Sequence, residues 1–324
     1  MIEEPPWRPT APLAVLRLRA ELLAAARRFF SDRGLLEVDT PALVRHAVTD
    51  RHIHSARVEL PGQHAALYLH TSPEYAMKRL LAAGSGDIFQ IAHVFRGGEH
   101  GRWHNAEFTL IEWYRCGYSM RQLMQEVAQL TLTLLALPAG TPVEYLRYEA
   151  AFERELSVDP LLAEDATLRS LAIEQRLERE VAQRCDRDEL LDWLVGATVG
   201  PRLGLRTPCF LHHYPASQAA LAQLDAQDPR VALRFELYYH GVELANGFEE
   251  LADAGQQRSR FELDRQQRLA AGLPAPEIDE ALLAALEAGL PPVAGVALGF
   301  DRLLMLRLGA ASIEQVLPFP LDRA

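Results

Sequence analysis

Lysine is almost missing from this chain: of 33 lysines and arginines, only Lys78 is a lysine. Coding preference is one simple source of so many arginines, but the chemical consequence is the same whatever the cause. A phosphate-binding loop of the Gly-Lys-Ser/Thr kind is excluded, because Lys78 lies in YAMKRLL. Kinase chemistry fails as well, for want of a VAIK-type lysine and an HRD loop. Cysteine is scarce: Cys116, Cys185 and Cys209 form no CxxC pair, so buried reduced thiols are expected rather than a staple or a zinc knuckle. No segment approaches the ~18 uninterrupted apolar residues that span a bilayer. The start, MIEEPPWRPTAP, lacks the basic and then apolar character of a secretory leader, so a cytoplasmic protein without membrane contact is expected. Positive charge is in deficit, at a net −11, which argues against a broad nucleic-acid-binding surface.

What remains is a soluble globular composition, 49% hydrophobic and 24% charged over 324 residues, enough to bury a sizeable core. Apolar residues recur at helical spacing from Leu13 to about Asp32, and Gly34 stops the run. LLEVDTPAL reads as a strand broken by Pro41, and residues 65–71 as another short strand. SPEYAMKRLLAAG reads as a helix with a Ser-Pro-Glu start and a glycine stop. IFQIAHVFR and AEFTLIEWY make a hairpin around a Gly- and His-containing loop, and a further helix covers Ser119 to Leu137. A polar, helix-rich insertion occupies about 150–205. A second β block follows, CFLHHYP and then VALRFELYYHGVELANGF, and after it come helices and the closing GVALGFDRLLMLRLG. Hairpin-joined strands with helices gathered between them predict an α+β fold, an antiparallel sheet flanked by helices in one domain over 1–324. The βαβ alternation of a dinucleotide-binding fold is absent.

Three stretches carry chemistry. In FRGGEHGRWHNAEFTLIEWY, Arg96 closes a strand before a glycine-rich loop and could hold a phosphate as a planar, permanently charged fork. Phe108, Glu112 and Tyr114 on the return strand share one face by the two-residue period. Taken alone, the stretch fits a hairpin with a surface ion pair equally well. In RFELYYHGVELANGFEEL, Glu236, Glu243 and Glu250 recur every seven residues with Asn246 between the last two. Glu236 and Glu243, facing each other across a tight hairpin at His240-Gly241, suit Mg²⁺, which takes oxygen ligands together with substrate phosphates. Two exposed acids beside Arg234 and Arg258 would look the same. In GVALGFDRLLML, Gly295 and Gly299 permit close backbone approach, and Arg302 opens an apolar helix where it could meet a terminal phosphate. His100 and His104, and His212 and His213, lack a third ligand and are rejected as metal sites.

In this order, the stretches resemble the class II aminoacyl-tRNA synthetases. DRGLLEVDTP is similar to their motif 1, which builds the dimer interface; Arg96 through Glu112, with His104 and Phe108, to motif 2; and GFDR, Gly299 to Arg302, to motif 3. TSPEY, HNAEFT, EWY and ELANGFEEL are specifically like the lysine branch. The resemblance runs from about residue 13 to the end and implies a class II synthetase catalytic domain. Motif 1 begins almost at once, so no anticodon-reading OB-fold is expected ahead of it. That arrangement resembles the elongation factor P–(R)-β-lysine ligases, which attach (R)-β-lysine, normally supplied by a lysine 2,3-aminomutase, to a lysine of elongation factor P. The resemblance implies a homodimer that uses ATP and Mg²⁺ and takes (R)-β-lysine or lysine, with no tRNA partner.

It also implies roles. Arg96 would hold the α-phosphate and Arg302 the γ-phosphate. Gly97, Gly98, Glu99, Asn105, Phe108, Glu243, Leu244 and Gly299 would line the nucleotide, and Glu236 and Glu243 would carry Mg²⁺. Ser72, Pro73 and Glu74 would meet one substrate amino group, Glu250 with Tyr114 the side-chain ammonium, and Glu112 and Asn246 would support the substrate. Two features depart from the lysyl-tRNA synthetases. Motif 2 reads Arg96-Gly97-Gly98, where Arg-x-Glu is usual, with Glu99 one position late. Ala297 stands where they have glycine; its methyl could favour a β-amino acid by ~1–3 kcal/mol, or be a harmless strand alanine. Alternative readings are a truncated synthetase-like activator with another acceptor and a non-catalytic lysine or adenylate sensor.

Overall fold

The computed structural model describes residues 7–62 and 65–324. Residues 1–6, half of the stretch read above for a leader, lie outside the described residues, as do 63–64. Helix α1 (Leu13–Ser31) buries Leu22, Ala26, Phe29 and Phe30 along one stripe. Strands β1 (Leu36–Glu37) and β2 (Leu43–Val44) fall on either side of Pro41, which has no N–H to give a ladder. β3 (Arg57–Val58) and β4 (Leu67–Leu69) join β2 in a three-stranded sheet ordered β2-β4-β3. Helix α2 (Glu74–Ala82) begins where the Ser72 Oγ accepts the Glu74 N–H at 3.0 Å. The hairpin strands β5 (Ile88–Phe95) and β6 (Glu107–Cys116) follow. Helix α3 (Met120–Leu135) is held at its start by a reciprocal Ser119–Gln122 capping box.

After β7 (Glu144–Arg147) comes a run of four helices, α4 (Tyr148–Leu156), α5 (Asp165–Glu174), α6 (Arg179–Arg184) and α7 (Arg187–Leu194). They enclose an apolar cluster of their own, including Phe152, Leu168, Leu190, Leu191 and Leu194, against the next strand, β8 (Cys209–Pro215). Strands β9 (Val231–Tyr239) and β10 (Val242–Glu249) precede helices α8 (Ala254–Ala270) and α9 (Glu280–Gly289). Strand β11 (Val293–Gly299) then runs into helix α10 (Phe300–Leu308).

Eight strands form one sheet, ordered β1-β5-β6-β11-β10-β9-β8-β7. Its six central strands are antiparallel as expected, whereas the rim strands β1 and β7 run parallel to β5 and β8. One face is apolar by the two-residue period: Ile111, Trp113, Val296, Leu298, Phe235 and Leu237 pack beneath α1, α3 and α10. Phe30 stacks on Phe89 at 4.6 Å and tilts onto Trp113 at 5.2 Å, fixing α1 to this face. The opposite face carries the polar residues singled out in the sequence. Among the described residues no helix is long and apolar enough to cross a membrane.

Candidate functional site

Directly opposed residues of antiparallel strands project to the same face. Register therefore sets Gln90, Glu112, Ala297, Asn246 and Glu236 side by side across β5, β6, β11, β10 and β9. The adjoining row holds Tyr114, Gly295, Phe248 and Arg234. Glu243 and Asn246, three residues apart, would point to opposite faces of a regular strand. The β9–β10 ladder shifts register between Glu243 and Ala245, pairing Glu243 with Tyr238 and Asn246 with Glu236. Leu244 is the extra residue; it turns into the core while Glu243 joins the polar face. The expected face-to-face carboxylate pair is thus corrected to a diagonal one: the tight turn already sets Glu243 opposite Tyr238, and the bulge beyond it brings Asn246 opposite Glu236.

The aminoacyl end is an acidic pocket. Glu112 accepts from the Tyr114 hydroxyl and from the Ser72 Oγ, each at 2.7 Å. Pro73 caps α2 and sets Glu74 at its first turn. Between Glu74 and Glu250 lies a group that the sequence reading used only to exclude a phosphate loop. The Lys78 ammonium is 1% exposed, 2.8 Å from Glu74 and 2.6 Å from Glu250. Glu74 and Lys78 are one helical turn apart, a spacing legible in sequence; the partner on β10's extension, Glu250, is not. Burial, with Glu74 alongside, pushes Glu112 up to about 7. Burial, with Glu74 and Glu112 nearby, also raises Glu250, against the pull of Lys78. Three carboxylates facing one buried ammonium leave a local excess of negative charge suited to a cationic ligand. Gly295 is what makes room: a Cβ there would lie 2.2 Å from the Tyr114 ring and 2.5 Å from the Glu250 carboxylate. Ala297, between Glu112 and Asn246, packs beside Ala92, Val94, Leu110 and Phe108.

The nucleotide end gathers the two arginines. Arg96 lies over the Phe108 ring at 5.1 Å and 3.5 Å from Glu99. Gly98 has φ +79°, a conformation that strains a residue with a Cβ, and Glu99 follows it as the carboxylate beside Arg96. The Gly97 N–H donates to the His54 carbonyl at 2.7 Å. Arg302 donates to the Glu243 and Trp103 carbonyls and meets the His104 Nε2 at 2.6 Å. Burial, and then Arg302, lower the His104 pKa and favour its neutral ring. Gly299 leaves ordinary van der Waals room for a Cβ against Leu244 and Arg302, so packing alone does not demand glycine there. Asn105 is turned to structure: its amide donates to the Glu107 carbonyl and its oxygen accepts from the Leu321 N–H.

Sequence reasoning also missed the bracket behind Arg302. Buried Asp301 accepts from Arg19 of α1 at 2.5 Å and from the Thr109 N–H of β6 at 2.6 Å, while Arg19 also donates to the Thr109 Oγ1 at 2.6 Å. One aspartate thereby ties together α1, β6 and the start of α10.

Among the described residues no three His, Cys, Asp or Glu side chains gather as a metal cluster. The Glu236–Glu243 pair nevertheless fits a hard divalent cation in its donor chemistry. Burial and the Glu236 charge raise Glu243, and the neighbouring Asn246 Oδ1 is buried without a hydrogen-bond partner. Glu236 itself is held by Arg234 at 2.6 Å and Tyr238 at 2.7 Å.

An antiparallel sheet carrying two arginines at one end of a polar face and a buried acidic pocket at the other is the architecture of an amino-acid-activating domain. The sequence pattern of the family "tRNA synthetases class II (D, K and N)" matches residues 7–323. The Edwardsiella ictaluri protein named elongation factor P–(R)-beta-lysine ligase is 52% identical over 98% of both chains. Proteins of the same name from Klebsiella pneumoniae and Salmonella dublin are 51% and 50% identical over the whole of both chains. The chain belongs to the class II tRNA synthetase family and, within it, to the elongation factor P–(R)-β-lysine ligases.

Proposed function

We propose that this chain activates (R)-β-lysine with ATP as an acyl-adenylate and transfers it to a lysine side chain of elongation factor P. The observation that carries the reading is the buried pocket where Glu74, Glu112 and Glu250 outnumber the single Lys78 cation, in a chain whose full length matches the ligases. A substrate with two ammonium groups is the ligand such a charge excess prefers.

The substrate carboxylate attacks the α-phosphate in line, pyrophosphate departs, and no protein nucleophile is needed. Arg96 steadies the charge at the α-phosphate and Arg302 that at the far end of the triphosphate. Glu236 and Glu243 would hold Mg²⁺, which neutralises polyphosphate charge. Glu99 serves the nucleotide in place of the residue lost at Gly98, and Ala297 narrows the aminoacyl floor in favour of the β-isomer. In the second step the acceptor ε-amine attacks the acyl carbon and AMP leaves. Exposed Trp7, Leu13, Leu36 and Leu43 around α1, β1 and β2 support a homodimer through the motif 1 segment. A cytoplasmic setting, and supply of substrate by a lysine 2,3-aminomutase, accord with a translation-factor modification.

The test is the intact mass of elongation factor P after incubation with this protein, ATP, Mg²⁺ and (R)-β-lysine, with tRNA charging run in parallel. One lysyl-sized gain on the protein and uncharged tRNA is expected. Charged tRNA with unmodified protein would instead make the chain a minimal synthetase, and absence of pyrophosphate exchange with any lysine isomer would make it a sensor.

A further inference from the structure

An acyl-adenylate acylates any unprotonated primary amine that reaches it. The nitrogen lone pair bonds to the acyl carbon, the bond from that carbon to the phosphate oxygen breaks, AMP leaves, and the nitrogen sheds a proton. Nothing in this chemistry separates an acceptor protein from the enzyme itself, so an enzyme of this type with a lysine-rich surface would label its own side chains.

This chain offers no such surface. Every side-chain cation of the lysine and arginine kind other than Lys78 is a guanidinium, which stays protonated and presents no free lone pair. Arg57 and Arg102 are exposed, and the partly exposed Arg51 pairs with Asp186; lysine at any of these places would be a competing acceptor. The one lysine stands where the adenylate forms, the most dangerous place for a nucleophile, and it is disarmed by geometry. Its ammonium is 1% exposed and lies within 2.8 Å of Glu74 and 2.6 Å of Glu250. Burial alone would lower its pKa and free the amine, but Glu250 and Glu74 outweigh burial and raise it.

We propose that Lys78, locked as an ammonium between Glu74 and Glu250 and the only lysine of the chain, leaves the protein with no lysine side chain open to its own adenylate, so that the lysine acylated is one presented by a partner. The inference rests on the proposed reaction, and its test keeps the two apart.

The full chain is incubated with ATP, Mg²⁺ and (R)-β-lysine without any acceptor. Pyrophosphate exchange is measured alongside intact mass and peptide mapping. Exchange with no acyl group on the Lys78 peptide is expected. A variant carrying Arg51→Lys, Arg57→Lys and Arg102→Lys, with exchange retained, is expected to gain one or more lysyl masses at the new lysines. Acylation of Lys78 in the unaltered chain, or an exchange-active variant that stays unmodified, overturns the inference and leaves the proposed function standing; loss of exchange in the unaltered chain removes both. Independently of the reaction, an amine-reactive acetylating ester should modify Lys78 at least about tenfold more slowly in the folded protein than in urea, since only opening exposes it. Equal rates would also overturn the proposal.

Discussion

Glu112 shows how one residue can carry a pH dependence. It is buried among acids, with Glu74 next to it, and is pushed up to about 7 in spite of hydrogen bonds from Ser72 and Tyr114 that pull it down. Between the ordinary carboxylate value and that point, the empty pocket holds a proton that the unfolded chain has already released. Folding stability from this group is therefore present at acid pH and declines as pH rises towards 7. Ligand binding runs the other way, because an ammonium group favours the carboxylate and expels the proton. The KM for (R)-β-lysine in pyrophosphate exchange should thus rise as pH falls from about 8 to about 6, by up to about tenfold per unit at the steepest. A flat KM over that range would mean that Glu112 is already ionised in the empty pocket.

At the scale of elements, Asp301 joins α1, β6 and α10 by accepting two hydrogen bonds, Arg19 adds a third to Thr109, and the neighbouring Arg302 inherits that fixed position. Asp301→Asn keeps the shape but leaves the largely buried Arg19 without its counter-charge. We expect a loss on the order of 2–3 kcal/mol in urea unfolding, the scale of a charge-assisted hydrogen bond, together with a raised KM for ATP and little change in that for the amino acid. Equal effects on both would mean the aspartate supports the fold in general and not Arg302 in particular. Much at this scale was legible in the sequence. The α2 and α3 starts followed from Ser-Pro-Glu and from Ser119, and the hairpins from alternating residues in β5, β6, β9 and β10. The bulge at Leu244 was not, because VELANGFE alternates no differently with or without an extra residue, and only the partner strand reveals the slip. Strand period and seven-residue spacing singled out Glu112, Tyr114, Glu236, Glu243 and Glu250, whereas their roles, and Ser72, Pro73 and Glu74 altogether, came only through the resemblance to the lysine branch. Lys78 and Asp301 escaped because buried ion pairs between distant segments leave no periodic trace.

Over the whole molecule, the helices α4 to α7 enclose an apolar cluster separate from the one beneath the main sheet, and β8 and Tyr238 are where the two regions touch. Cooperativity follows contact, so a region with its own core can open by itself. In native-state hydrogen exchange at low denaturant, amides of α5, α6 and α7 are expected to exchange by a lower-energy opening than those of β6 and β11; one common opening energy would make the chain a single unit. Separate opening has a further consequence: substitutions in those four helices could shift proteolytic lifetime and abundance while leaving turnover per folded molecule untouched.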